Sequence, residues 1–70
     1  MEIQSVLFDK YVWTPSAARQ WLKKHNLKPL KMVHKTKNEL RYRINEPYLY
    51  SEFFSKKIRD GDIILVLGKP

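Results

Sequence analysis

The residues in this chain best able to do chemistry are the basic ones, because they are concentrated in one segment. Of the 14 Lys and Arg among 70 residues, nine lie between positions 19 and 43, where the single acid is Glu39. The nine are Arg19, Lys23, Lys24, Lys28, Lys31, Lys35, Lys37, Arg41 and Arg43. This segment therefore has a formal charge of +8 and the rest of the chain −1, which sum to the overall +7. Such a local positive potential attracts polyanions, of which nucleic-acid phosphates are the simplest case.

Other kinds of chemistry have less support. The chain has no cysteine, so thiolate zinc sites and thiol nucleophiles are excluded. His25 and His34 have no third ligand at a recognisable spacing, and we expect both to pack in the fold without binding metal. Asp60 and Asp62 flank Gly61, a pattern more typical of a turn than of paired catalytic carboxylates. Because the sequence also contains no phosphate-binding loop and no nucleophile elbow, we expect a non-enzymatic protein without cofactors.

Length and composition favour one small domain at positions 1–70. A chain of this size is near the lower limit for a self-sufficient core, which contributes only about 3–5 kcal/mol. The longest apolar run, residues 63–67, is far shorter than the roughly 18 residues of a membrane span, and the chain opens without the basic region of a signal peptide. With no cysteine to crosslink a secreted scaffold, we expect an intracellular protein with no membrane partner.

One amphipathic helix is predicted after a first strand at residues 3–8. Thr14 is a favourable N-cap and Pro15 suits the first helical position, where its missing N–H has no cost. Apolar side chains recur on one face through residues 17–25, and basic side chains occupy the other face. Asn26 is suited to the left-handed conformation that ends a helix. Trp13 and Trp21 are expected to anchor the core, because each has a large apolar surface to bury.

Residues 30–45 change to a period of two, which predicts a basic β-hairpin. A two-residue loop, Lys37-Asn38, would place Met32 opposite Arg43 and mix apolar with basic side chains. A three-residue loop, residues 36–38, places Met32 opposite Tyr42 and separates the two kinds, so it is the predicted register. In this register the core side carries Leu30, Met32, His34, Leu40, Tyr42 and Ile44. The outer side carries Lys31, Val33, Lys35, Arg41 and Arg43.

The C-terminal third contains a second predicted hairpin. The Asp60-Gly61 pair is a strong hairpin signal that would place Ile58 opposite Ile63. Residues 48–57 fit either a strand or a helix, and the hairpin favours the strand. The predicted fold is therefore α+β, with one N-terminal helix on a small, mostly antiparallel sheet in the order β-α-β-β-β-β. A helix at 48–57 would instead give the ferredoxin-like order β-α-β-β-α-β.

Several short motifs together resemble a small domain encoded by tailed phages and large eukaryotic DNA viruses. They are Trp13-Thr14, Ala18 with Trp21-Leu22-Lys23-Lys24-His25, Arg41-Tyr42-Arg43, Pro47, Lys57-Ile58 and Gly61-Asp62-Ile63. The resemblance covers most of the chain and implies a viral origin, in a host cell or a virion, and a shared fold, without implying an activity. It also suggests Arg41 and Arg43 as a pair. Asn26 departs from the glycine usual in that family after the helix.

We therefore hypothesise a nucleic-acid-binding module of viral type, with DNA favoured over RNA. Its predicted contact residues are Arg19, Lys23, Lys24, Lys31, Lys35, Lys37, Arg41 and Arg43. Phosphate contacts with weak sequence preference are expected, because the chain lacks the base-reading motifs of RRM, KH and zinc-finger domains. Tyr48 and Tyr50 are expected to pack over the end of the sheet more than to stack on bases. The alternative is a viral interaction or assembly module that binds an acidic protein or forms a homo-oligomer.

Overall fold

A computed structural model describes all 70 residues as an α+β fold, with one helix on an antiparallel five-stranded sheet, as the sequence predicts. The elements are β1 (Glu2–Asp9), α1 (Pro15–Lys24), β2 (His34–Lys35), β3 (Glu39–Arg43), a 3-10 turn (Pro47–Leu49), β4 (Glu52–Ile58), a second 3-10 turn (Arg59–Gly61) and β5 (Ile63–Lys69). Across the sheet, the strand order is β2-β3-β1-β5-β4. None of the helical segments combines the length and the apolar character that crossing a lipid bilayer requires.

The core lies between α1 and the central strands. Its buried residues are Val6, Phe8, Ala18, Leu22, Leu40, Tyr42 and Ile63. The Phe8 ring contacts three other aromatic rings edge-on, with centroid separations of 5.1 Å to Trp13, 5.7 Å to Trp21 and 5.7 Å to Tyr42. Edge-to-face contacts of this kind add to the stabilisation that apolar burial gives. Both tryptophans pack partly buried against this cluster, in agreement with their predicted role as anchors.

The two ends of α1 have the predicted caps. The Thr14 hydroxyl accepts a hydrogen bond from the Ala17 amide at 3.2 Å, which satisfies one of the free N–H groups of the first turn. At the other end, Asn26 has a φ of 58°, and the Leu27 amide donates to the Leu22 carbonyl at 2.9 Å. A left-handed residue followed by this long return bond is the Schellman ending of a helix. Hydrogen bonds between neighbouring residues therefore determine where α1 begins and where it ends.

The hairpin of β2 and β3 has the shorter of the two loops, so the predicted register is wrong by one residue. Residue 34 lies opposite 41, and Lys35 lies opposite Leu40. The Thr36 amide donates to the Glu39 carbonyl at 2.9 Å, and the Glu39 amide donates to the Thr36 hydroxyl at 3.0 Å. These bonds close a loop of only Lys37 and Asn38.

The shorter loop reverses the two sides of the segment that precedes it. Val33, predicted to face outward, packs against the core, whereas Met32 is 90% exposed and Leu30 is 48% exposed. His34, also predicted to be in the core, is exposed. The physical reason is that β2 has only two residues, so loop closure at Thr36 and burial of one β-branched side chain outweigh the alternation of the longer segment.

The second hairpin pairs Ile58 with Ile63, as predicted. Its turn is tight, because Arg59, Asp60 and Gly61 all have positive φ angles. The preceding segment, residues 48–57, contains the end of the first 3-10 turn and most of β4.

A buried polar contact holds the chain that follows β3. Gln4 is 1% exposed, and its main-chain carbonyl oxygen accepts hydrogen bonds from the Ile44 and Asn45 amides at 2.8 and 3.1 Å. Its side-chain amide donates to the Asn45 carbonyl at 2.9 Å, and the Asn45 side chain donates to the Ile3 carbonyl at 3.0 Å. These bonds form at an irregularity in β1 between Ile3 and Ser5. They tie the C-terminal end of β3 to the central strand and so position Arg43.

Candidate nucleic-acid interface

The sheet has one face against α1 and a second face that no helix covers. Leu40 and Tyr42 are buried on the α1 face. Because side chains alternate along a strand, Arg41 and Arg43 lie on the uncovered face. His34 lies opposite Arg41 on the neighbouring strand and so shares that face. The two arginines that the sequence suggests as a pair are therefore on the same side of the molecule.

These residues form a small concavity, called here the sheet-face pocket. It is lined by Lys31, Met32, His34, Arg41 and Arg43 and has a volume of about 120 Å³. The concavity is open to solvent and large enough to admit a phosphate-sized group. The lining therefore combines three permanent cations with a histidine around a space of the right size for a small anion.

No acidic side chain neutralises the cations of this pocket. The one ion pair in the molecule joins Arg59 to Asp62, at 3.9 Å and away from the pocket. The Nε atom of Arg41 is enclosed and has no hydrogen-bond acceptor within the protein. Donors of a buried guanidinium normally have partners. The Arg41 guanidinium therefore has no anionic partner within the protein.

The pocket continues into a belt of positive charge around the β2 edge of the sheet. Lys31 also lines a second concavity together with Arg19 of the helix. Arg19 and Lys23 line a third with Lys28, and Lys23 and Lys24 line a fourth. Neighbouring concavities share a basic residue at each step. This basic belt joins the uncovered face of the sheet to the exposed side of α1. It comprises the sheet-face pocket and four further residues, Arg19, Lys23, Lys24 and Lys28.

The opposite end of the uncovered face is acidic. Asp9, Glu39 and Asp62 line a concavity at the end of β1 and β3 that is farther from Arg43. The sign of the charge on this face therefore changes along the strand direction, so that anions are repelled at one end and attracted at the other.

Six of the eight predicted contact residues belong to the belt. The exceptions are Lys35, which lies opposite Leu40 and so on the α1 side, and Lys37, which is in the hairpin loop. The prediction that Lys35 shares an outer face with Arg41 is wrong, because it depended on the longer loop. Two basic members of the belt, His34 and Lys28, are absent from the predicted contacts, as is Met32 of the sheet-face pocket. The two-residue loop, which the sequence also offers, is the signal that predicts His34 beside Arg41.

Tyr48 and Tyr50, the two tyrosines between β3 and β4, differ in their burial. Tyr50 is buried over Gly68 at the end of the sheet, and its hydroxyl donates to Glu2 Oε1 at 2.7 Å. Burial and the contact with Glu2 raise the pKa of Tyr50 above its usual value. Tyr48 is 81% exposed. The predicted packing over the sheet end therefore holds for Tyr50 and is wrong for Tyr48.

In comparisons with known proteins, no protein-family model, curated protein or solved structure matches this chain significantly. The arrangement of charge and shape is accordingly the basis for a functional proposal.

Proposed function

We propose that this protein is a non-enzymatic nucleic-acid-binding module that contacts the phosphate backbone and has weak sequence preference. The observation that carries the proposal is that Lys31, Arg41 and Arg43 line one pocket without an acidic partner. Cations left unpaired near one another repel, and an incoming polyanion relieves that repulsion. We further propose a viral origin and an intracellular location, on the resemblance of the sequence motifs, and DNA as the favoured partner.

Guanidinium groups support phosphate as the ligand of the sheet-face pocket. The N–H donors of arginine form a planar fork that matches two phosphate oxygens, and bonds of this type are among the stronger hydrogen bonds in proteins. Lys31 adds a third positive charge, on the flexible side chain that lysine has. Contacts from these side chains to phosphate would position the nucleic acid without reading its sequence.

The proposal is tested by fluorescence anisotropy, with labelled duplex DNA, single-stranded DNA and RNA titrated with the intact protein at low and high salt. We expect binding at low salt that weakens as salt rises. For duplex DNA, the slope of log K against log salt should fall in magnitude by about 0.9 in Arg43→Gln, which removes one phosphate contact. Lys69→Gln is the matched control, because it removes the same charge from an exposed residue outside the belt.

Absence of binding at low salt, or binding indifferent to salt, would overturn the proposal. So would equal losses in Arg43→Gln and Lys69→Gln, since net charge alone would then account for the interaction. Tighter binding to RNA than to DNA would overturn the choice of DNA and leave the phosphate contacts in place.

A further inference from the structure

The edge strand β4 is the longest exposed strand of the sheet and has a neighbour on one side only. It spans seven residues, and all except Ile58 are exposed. Two of its aromatic side chains are about half exposed, Phe53 at 47% and Phe54 at 45%. An exposed edge of this length presents a row of unpaired main-chain N–H and C=O groups to any strand that can pair with it.

The hydrogen bonds of the central strands show which main-chain groups are free. In antiparallel sheets these groups point alternately to the two neighbouring strands. The Asp9 amide donates to the Asp62 carbonyl at 2.9 Å, across β1 and β5. The main-chain groups of the even-numbered residues of β5 are then directed to β1, and those of the odd-numbered residues are directed to β4. With the observed pairing of β4 and β5, this leaves the main-chain groups of Phe53, Ser55 and Lys57 directed at the free edge.

We propose that β4 pairs antiparallel with β4 of a second copy of this chain, about a two-fold axis at Phe54. In this register Phe54 lies opposite its own copy, and Glu52 lies opposite Lys56 of the second copy. Phe53 pairs with Ser55 of the second copy, and both of these residues have free main-chain groups. The pairing would join two five-stranded sheets into one. It does not depend on the proposed nucleic-acid binding.

Charge and shape select this register among those the free main-chain groups permit. Residues directly opposite each other share a face of the sheet, and opposite charges stabilise such pairs. The two-fold axis makes the Glu52–Lys56 pair twice, which offsets the lysines that otherwise protect an edge from pairing. The Phe54 pair would be non-hydrogen-bonded, the type in which side chains approach closest. Moving the axis to Ser55 would set Phe54 opposite Lys56 and Glu52 opposite Ile58, so both advantages would be lost.

The charge pairs allow a mixing experiment, read by sedimentation equilibrium over a range of protein concentrations. We expect a concentration-dependent dimer for the natural sequence. Glu52→Lys and Lys56→Glu each replace two attractive pairs by two repulsive ones, and each alone should weaken self-association by roughly tenfold or more. Mixed in equal amounts, the two variants should associate again, because every pair in the mixed dimer has opposite charges. Lys57→Glu is the control of equal charge change, and it lies opposite Ser51 in this register.

A second experiment locates the axis. The chain has no cysteine, so a single cysteine introduced on β4 can form a disulfide only with the same cysteine of a second molecule. Phe54→Cys should form a covalent dimer on mild oxidation, because directly opposite residues of a non-hydrogen-bonded pair are within disulfide range. Lys56→Cys should not, because its counterpart in the second copy is several residues away along the strand.

The proposal is overturned if the natural sequence remains monomeric at every concentration. It is also overturned if the two charge variants fail to associate when mixed, or if Lys56→Cys crosslinks as readily as Phe54→Cys. Dimerisation unaffected by the β4 variants would place the interface elsewhere. None of these outcomes bears on nucleic-acid binding, which is measured separately with Arg43→Gln.

Discussion

The path of the basic belt predicts a difference between duplex and single-stranded DNA. The belt starts on the uncovered face of the sheet and continues around the β2 edge to α1, in a molecule only 31 × 23 × 22 Å in extent. Duplex DNA is stiff, with a persistence length of about 150 base pairs, and cannot follow so sharp an edge. A single strand bends easily and can contact both parts of the belt.

Two triple variants with equal charge loss separate the parts of the belt. The sheet-side variant combines Lys31→Gln, Arg41→Gln and Arg43→Gln, and the helix-side variant combines Arg19→Gln, Lys23→Gln and Lys24→Gln. Each removes three of the seven net positive charges. If all three sheet-side residues contact phosphates, the slope of log K against log salt for duplex DNA should fall in magnitude by about 2.7, at about 0.9 per contact. The helix-side variant should leave the duplex slope close to that of the natural protein.

For single-stranded DNA, both triple variants should lower the magnitude of the slope, each by up to about 2.1 at about 0.7 per contact. The assay is anisotropy at several salt concentrations, with thermal unfolding as a check that each variant is folded. The reasoning is refuted if the helix-side variant lowers the duplex slope as much as the sheet-side variant does. It is also refuted if the single-strand slope responds to one triple variant only.

Three further predictions concern the fold. In urea denaturation, Val33→Ala should lower the free energy of unfolding by about 1 kcal/mol, because Val33 packs on the core. Met32→Ala, at an exposed site, should change it by less than about 0.5 kcal/mol. A larger loss in Met32→Ala than in Val33→Ala would support the longer loop. Gly68→Ala should cost about 1–3 kcal/mol in the same assay, because the new Cβ would come within 2.6 Å of the Tyr50 ring carbons; an unchanged midpoint would contradict that packing. Burial raises the pKa of Tyr42 above 10.0, with Arg19 opposing. The unfolded chain therefore loses this proton first, and the melting temperature should fall above pH 10.0 by less in Tyr42→Phe; an equal fall would exclude Tyr42 as a source of the loss.

Elements defined by neighbouring residues could be predicted from the sequence. Thr14 and Asn26 define the two ends of α1 through hydrogen bonds within a few residues of each other. The Asp60-Gly61 turn likewise brings Ile58 opposite Ile63. In these cases the deciding interactions are local, so the residue types and their spacing are sufficient to predict the structure.

The register of β2 could not be predicted in this way. The alternation of apolar and basic residues favoured burial of Met32, but the structure buries Val33. Three hydrogen bonds between Thr36 and Glu39 close the shorter loop, and only two residues of β2 pair with β3. The alternation of apolar and basic residues before the loop has little effect on the register, because only two of these residues lie in β2.

The sequence by itself determined the class of fold, the single helix and the concentration of positive charge between residues 19 and 43. Tertiary structure decided which of these cations lie together. Lys31 meets Arg41 and Arg43 only because the segment before β2 lies beside β3, where the Leu30 amide donates to the Arg43 carbonyl at 2.8 Å. Arg19 of α1 lines a neighbouring concavity together with Lys31. A local pattern specifies on which side of its own element a residue lies. The distance between charges on different elements depends on how those elements pack, and this is a property of the whole fold.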